Sequence, residues 1–325
     1  MCCWRRSSTP RTTRSRRLIF LFGPTGVGKT ALLERLFSTG FQVVNADSKQ
    51  IYRFLDIGSA KPEPDLLRRI PHHLIDIKDP WEPFSVGEFV KLADDACDLI
   101  RHAGDTPIIC GGTAYYFKHF YFGMPASPPS DPETRQRIAD LAKEHGLPWC
   151  HRWLASVDPI SANRIHPSDG YRITRALEVH ESSGKPLSSF SIPTEARNGM
   201  HPLIIGLLRD TEELSQRIER RVARMFDAGL EDEMKRLLGM GAEASWPGML
   251  GIGYQEFFLA HEHPEWTVED IARQIVRNSR LYAKRQMTFF KSLPRVHWVH
   301  PDDMATLSML VESHLSAQGP RGSSG

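Results

Sequence analysis

The stretch LIFLFGPTGVGKTALLERLF, residues 18–37, decides the reading of the fold. Leu18–Phe22 is a short apolar run that ends at Gly23, as a strand buried on both faces requires. Ala31–Ser38 has helical spacing and is stopped by Gly40. Between them, Gly23-Pro24-Thr25-Gly26-Val27-Gly28-Lys29-Thr30 satisfies G-x-x-x-x-G-K-[ST] in the strand–loop–helix setting that the motif demands. Its glycines let backbone N–H groups curl around a phosphate. The helix start adds the positive end of its dipole, Lys29 a full charge, and Thr30 a hydroxyl for Mg²⁺. The motif specifies phosphate or diphosphate, as in ATP, but it does not specify hydrolysis.

Working outward, Phe41–Ala46, His73–Ile77, Pro107–Cys110 and Leu203–Leu208 read as further strands. Val86–Ala103 reads as a helix with Phe89, Ala93, Ala96 and Ile100 on one face. Alternation of strands and helices predicts an α/β, P-loop NTPase-like core: a parallel sheet flanked by helices. Pro125, Pro128, Pro129 and Pro132 then mark a boundary, and residues 131–183 carry helical pattern only. There Pro132–Glu144 is one helix, and Ser168 caps another running to Ser183. Two long helices follow. Thr211–Leu238 starts at Asp210 or Thr211 with Glu213 placed for a capping box. Thr267–Leu293 starts at Thr267 and ends before Pro294. The predicted organisation is a basic leader (1–17), a first core part (18–125), an inserted all-helical domain (126–200), a second core part (201–300) and a tail (301–325).

Composition agrees with a globular chain: 325 residues, 40% hydrophobic and 25% charged. No run of 18 apolar residues occurs, which excludes a transmembrane helix and predicts no membrane partner. Of 41 basic residues, six arginines fall within residues 1–17, where there is no acid. That leader lacks the apolar stretch of a secretory signal; its composition allows a transit peptide, but a disordered arm or an upstream start codon is the preferred reading. Five scattered cysteines give neither a disulfide framework nor zinc spacing, so a reducing, cytoplasmic setting is expected, with Cys110 as a core filler. The 14 histidines are dispersed and read as ordinary surface or core residues.

Several residues carry chemistry. Asp47 ends the second strand, where an acid lies beside the phosphate loop of a doubly wound sheet. It can act there as a general base or hold Mg²⁺; Asp76 is a second acid of the same kind. Gly111-Gly112-Thr113 permits close backbone approach and projects Thr113 into the same cleft. Arg221 falls between Leu214, Ile218 and Met225 on the buried face of its helix, so it needs an anionic partner, for which a diphosphate is the natural reading. Arg217, Arg220 and Arg224 lie to one side and read as solvated. On the last long helix Arg273, Arg277, Arg280, Lys284 and Lys291 form one stripe within about 40°. Val268, Ile271, Ile275, Tyr282 and Phe289 lie opposite. The stripe reads as a phosphate-backbone track, to which the insertion adds Arg164, His166, Arg172 and Arg175. Phe257, Phe258, Phe289 and Phe290 read as core.

Taken together, GPTGVGKT, NADSKQIYRFLDIGSAKP (45–62), HHLIDIKDP (72–80), GGTAYYF (111–117), IHPSDGYRITRALEV (165–179), GIGYQE (251–256) and AKRQMTFF (283–290) resemble the bacterial tRNA dimethylallyltransferases, over roughly residues 18–300. The resemblance implies transfer of a dimethylallyl group from dimethylallyl diphosphate to N6 of adenine 37 in tRNAs reading codons that begin with U. It implies diphosphate rather than ATP in the phosphate loop Gly23–Thr30, with Mg²⁺ at Thr30 and Asp47 as general base or second metal ligand. It assigns Thr113 to adenine positioning and Arg221 to the diphosphate. It places tRNA contacts at Asp47, Ser48, Lys49, Gln50, Thr113, Arg135, Tyr171, Arg172, Ile173, Thr174 and Arg175. Further contacts fall at Leu250, Gly251, Ile252, Gly253, Tyr254, Gln255, Arg280, Lys284, Arg285 and Gln286. The helical insertion corresponds to the domain that grips the anticodon stem-loop, and a monomer is implied. Ser59 replaces a threonine usual in the family, Tyr171 and Thr174 replace other polar residues, and the zinc finger of eukaryotic relatives is absent.

Three other readings are discriminated by the same residues. A small-molecule kinase gives no task to the basic stripe or to GIGYQE. A P-loop RNA-binding regulator without activity gives none to Asp47 and Thr113. Prenylation of free AMP gives none to the insertion.

Overall fold

The computed structural model describes residues 17–316 apart from 38, 129, 130 and 192. Residues 1–16, which hold nearly all of the arginine-rich leader, lie outside the described residues. Those described divide into two compact units, one of them Phe122–Arg197 and the other the chain on both sides of it.

In the larger unit β1 (Ile19–Phe22) runs into the phosphate loop and α1 (Lys29–Leu36). Next come β2 (Phe41–Asn45), α2 (Pro64–Arg69), β3 (His72–His73), α3 (Val86–His102), β4 (Thr106–Gly111) and α4 (Ala114–Phe122). The sheet is parallel and ordered β3-β2-β4-β1-β5-β6, with β5 at Leu203–Leu207 and β6 at His297–Val299. β1 therefore lies between β4 and β5, with Phe22 opposite Gly111 and Gly206. Every residue of β1 and β5 is buried, the consequence of helices on both faces of a parallel sheet. One core joins Ile19, Leu21, Ile108 and Ile205 to Leu32 and Leu33 of α1, with Cys110 filling it as expected. On another face Phe22 stacks on Phe290, with centroids 4.2 Å apart.

The smaller unit holds α5 (Pro132–His145), α6 (Leu147–Val157), α7 (Pro159–Arg164) and α8 (Gly170–Ser183) around Ile138, Cys150, Leu154, Ile173 and Leu177. Buried Asp158 caps α7 through Ser161 N (3.0 Å) and also accepts from Ser188 N (2.9 Å), tying the α8 exit to the bundle. The cap of α8 is Asp169, whose carboxylate accepts from Arg172 N at 3.1 Å, and not Ser168.

The larger unit resumes with α9 (Thr211–Asp227), α10 (Leu230–Gly239), α11 (Gln255–His261), α12 (Val268–Phe290) and α13 (Met304–Ser316). The helix expected over 211–238 is two, because Gly229 takes φ 93° and breaks it. Asp210 makes no side-chain cap and Glu213 turns to Arg209, so the expected capping box is absent. α12 does carry one, between Thr267 and Asp270. Val268 and Phe289, placed on its packing face from sequence, are respectively exposed and half-buried; Gln286 and Ala283 are buried instead. The strand expected over 73–77 ends at His73, since Leu74 (φ 62°) and Asp76 (φ 55°) are left-handed. Beyond residue 300, where the sequence suggested only a tail, α13 packs Leu307 and Val311 into the core of β1. No helix among the described residues is long and apolar enough to cross a membrane.

Candidate functional site

At the end of β1 the chain turns through Gly26 (φ 80°) and Gly28 (φ 109°), conformations that favour glycine. Side chains from distant segments then fix the loop. Gln286 Oε1 accepts from Thr25 N at 2.9 Å. Arg217 Nε donates to Gly26 O, and Arg209 Nε to Val27 O, both at 2.9 Å. Lys29 Nζ folds back on Gly23 O (2.9 Å) and Pro24 O (3.2 Å). Gly23, Pro24 and Val27 are buried within the loop, while Thr25, Gly26, Gly28, Lys29 and Thr30 line a cleft of about 1140 Å³.

The other walls bring together much of what the sequence proposed. Asp47, Ser48, Lys49 and Gln50 enter from the end of β2, Arg221 from α9, Leu250–Ile252 and Gln255 from the α10–α11 segment, and Arg285 and Gln286 from α12. Asp47 Oδ1 accepts from Lys49 N at 2.9 Å, and Oδ2 makes no hydrogen bond to a described residue. Thr113, expected to project into the cleft, is not among the residues that line it; its Oγ accepts from Ser48 N at 3.0 Å, which ties the end of β4 to the Asp47 segment. The close approach allowed by Gly111 and Gly112 is made by protein. A Cβ at Gly111 would lie 2.2 Å from Ala46 O, and one at Gly112 would lie 2.5 Å from Gln286 Nε2.

Cations dominate the electrostatics. Burial pushes the Lys29 ammonium down to about 8, against the pull of Cys110 and Asp47. Burial likewise pushes Lys49 down to about 8, opposed by Asp47. Arg221 is lowered by burial, with Asp47 opposing; it makes no hydrogen bond or ion pair with a described residue. Burial raises Tyr282 to about 12, keeping its hydroxyl protonated at the cleft wall. A loop of N–H groups, two desolvated cations and an arginine unpaired among the described residues make a site for a multiply charged anion.

Other sequence-proposed positions face protein. Tyr254 is fully buried; its hydroxyl donates to Glu233 Oε1 at 2.7 Å and accepts from Ser59 N at 3.1 Å. Gly253 N donates to buried Glu256 at 2.8 Å. Gln286 lines the cleft, and its amide is engaged with Thr25 N of the loop and with Gly112 O (2.7 Å), a structural task beside the expected one. Asp76 does not line the cleft and pairs with Lys61. Arg280 pairs with Glu219, whereas Lys284 is exposed. In the smaller unit Ile173 is core, so its side chain is no RNA contact. Tyr171 is 81% exposed there. Thr174 bonds Tyr171 O (3.2 Å), Arg172 pairs with Asp169 (3.0 Å), Arg175 donates to Pro128 O (2.7 Å), and Arg135 lies 4.0 Å from Glu178.

Sequence reasoning missed Arg217, read as solvated although it bonds Gly26 and lines the cleft. It also missed Glu233. This buried carboxylate accepts from Asp56 N, Ile57 N and Gly58 N at 3.1, 2.8 and 3.0 Å, besides Tyr254. Glu233→Ala leaves three backbone donors unpaired and is expected to cost about 3–5 kcal/mol of stability. A urea titration measures it; an unchanged midpoint would remove Glu233 from this role.

Residues 50–293 match the model of the IPP transferase family. The chain belongs to that family. It is 41% identical over 287 residues to the tRNA dimethylallyltransferase of Borrelia hermsii, covering 88% of this chain and 95% of that protein. To the enzyme of the same name from Geobacter metallireducens it is 43% identical over 285 residues, covering 87% and 92%. Among solved IPP transferases, the full-length tRNA isopentenylpyrophosphate transferase of Bacillus halodurans matches at 34% identity and a TM-score of 0.63, over 93% of this chain and 95% of that one. A eukaryotic dimethylallyltransferase caught acting on tRNA shares the fold, with a TM-score of 0.73 at 24% identity, over 93% of this chain and 78% of that one. The α/β core with a parallel sheet, expected from the phosphate loop outward, is the fold of these IPP transferases.

Proposed function

We propose that this chain transfers the dimethylallyl group of dimethylallyl diphosphate to N6 of adenine 37 in tRNAs reading codons that begin with U, releasing diphosphate. The observation that carries the reading is one cleft in which the phosphate loop and Arg221, unpaired among the described residues, stand with Asp47. The N6 lone pair is delocalised into the ring and is a poor nucleophile, so the leaving group must be activated. Lys29, Arg221 and the loop N–H groups neutralise the diphosphate as the C1–O bond breaks and its electron pair leaves with oxygen. N6 bonds to C1, and Asp47 takes the N6 proton. Thr113, anchored beside Asp47, orients the adenine edge. The base must leave its stack to enter the cleft.

The Thr30 hydroxyl, which makes no hydrogen bond to a described residue, and the Asp47 carboxylate both line the cleft. Such oxygen donors suit a hard divalent cation. Thr30, with Asp47, would hold Mg²⁺, which supplies further charge neutralisation to the diphosphate. A tRNA substrate also implies a cytoplasmic setting.

Three cations of the stripe, Arg277, Lys284 and Lys291, are exposed and make no ion pair with a described residue, whereas Arg273 and Arg280 are held by Asp270 and Glu219. Replacing Arg277 and Lys284 by alanine is expected to weaken tRNA binding uniformly across sequences and to flatten the salt dependence by about one unit of slope per contact or a little less. Filter binding across a salt series checks this, and a parental slope would leave the stripe merely solvated. The function itself is tested by supplying dimethylallyl diphosphate and unmodified tRNA without ATP. Diphosphate release equal to prenyl transfer supports it, and phosphate transfer from ATP without prenyl product would replace it with a kinase.

A further inference from the structure

Between β5 and α9 stands Arg209, whose side chain is 5% exposed and does not line the cleft. Its Nε donates to Val27 O at 2.9 Å. Its Nη1 reaches three groups: Glu213 Oε1, Asp302 Oδ2 at 3.0 Å and His300 Nε2 at 3.2 Å. Glu213, His300 and Asp302 form the one converging trio of metal-ligand side chains among the described residues. The cation of that trio is the guanidinium itself. A planar guanidinium whose Nη1 lies between two carboxylates has little freedom left, so the direction of its Nε–H is fixed with it.

That direction matters to the loop. The Val27–Gly28 peptide is trans, so its C=O and N–H point to opposite sides. Holding the Val27 carbonyl toward Arg209 turns the Gly28 N–H away from Arg209, and Gly28 lines the cleft. An unheld peptide plane can flip and present its carbonyl, which repels an anion. We propose that Arg209 is a positioning residue of the phosphate loop: clamped by Glu213 and Asp302, it fixes the Val27–Gly28 peptide so that the Gly28 N–H meets a diphosphate oxygen. This rests on the reading that the loop holds a diphosphate. It also gives the C-terminal segment a part in substrate binding. Asp302 lies beyond residues 50–293 that match the family, between β6 and α13.

The test is calorimetric titration of the full-length protein with inorganic pyrophosphate and Mg²⁺, beside tRNA binding measured separately. Arg209→Gln is expected to weaken pyrophosphate about tenfold, the worth of one charge-assisted hydrogen bond. Asp302→Asn changes a carboxylate that is 55% exposed, and should weaken pyrophosphate several-fold. If Asp302 acts only through Arg209, the double variant is no weaker than Arg209→Gln. In steady state KM for dimethylallyl diphosphate should rise while KM for tRNA stays within about twofold. Parental pyrophosphate affinity in the variants, additive losses, or an equal loss of tRNA binding would each overturn the proposal. Should Arg209→Gln fail to fold, Asp302→Asn decides alone by the same pair of affinities. A parent that binds no pyrophosphate overturns the diphosphate reading and this inference with it, an outcome distinct from a parent that binds and variants that bind equally.

Discussion

Asp47→Asn is expected to fold, to bind dimethylallyl diphosphate and tRNA within a few-fold of the parent, and to lose about 10²–10⁴-fold in turnover. The substitution keeps the shape of the side chain and its acceptor for Lys49 N–H, the contact at 2.9 Å that holds the segment after β2. It removes basicity at Oδ2, the oxygen with no hydrogen bond to a described residue. A group whose task arises as the N6 proton departs contributes chiefly in the transition state, so its loss appears in kcat and not in affinity. A metal-ligand role predicts differently: diphosphate affinity falls in step with rate, and activity recovers at high Mg²⁺. Titrating the variant with Mg²⁺ separates the two, and full rescue would end the general-base assignment.

Arg221→Gln is expected to lower kcat/KM by about 10²–10³-fold, the usual worth of one well-placed group stabilising developing charge. Burial already disfavours this cation, and no described carboxylate pairs with it. Its desolvation is offset only when an anion arrives. Pyrophosphate inhibition should weaken together with the rate, and Arg221→Lys should restore part of both, since the charge returns without the fork. An arginine needed only to pack α9 against α12 would leave kcat/KM within a few-fold and lower the melting temperature instead.

The phosphate loop was legible because each position has a backbone reason: two glycines at positive φ, a lysine at the helix start, a strand before and a helix after. Fully buried strands such as IFLF and LIIGL announce themselves by composition. The strand that stopped at His73 did not, because left-handed Leu74 and Asp76 carry no residue signature of their conformation. Arg221 was found by its helical face, and Arg217 was misjudged by the same device. A helical wheel separates apolar from polar directions, but it is blind to a loop carbonyl standing opposite the polar one. Glu233 is one of three acids in EDEMKRLL, and only the fold singles out the one that accepts four hydrogen bonds. Gln286 and Tyr254 fell within strings that resemblance assigned to RNA, yet both are buried and hold the walls of the site. The Arg209 clamp was beyond sequence reasoning, since Asp302 lies 93 residues and Val27 182 residues from Arg209 along the chain.

A phosphate loop that serves a prenyl diphosphate, with one base of tRNA as the acceptor, yields a product that no kinase or RNA-binding regulator makes. The direct measurement is mass spectrometry of nucleosides from two transcripts incubated with the full chain, dimethylallyl diphosphate and Mg²⁺, without ATP. One transcript carries adenine at positions 36 and 37, and the other has guanine at 37. N6-dimethylallyladenosine is expected from the first, with diphosphate in equal amount, and no prenylated nucleoside from the second. Unmodified adenosine in the first, or equal prenylation of both, would contradict this reading.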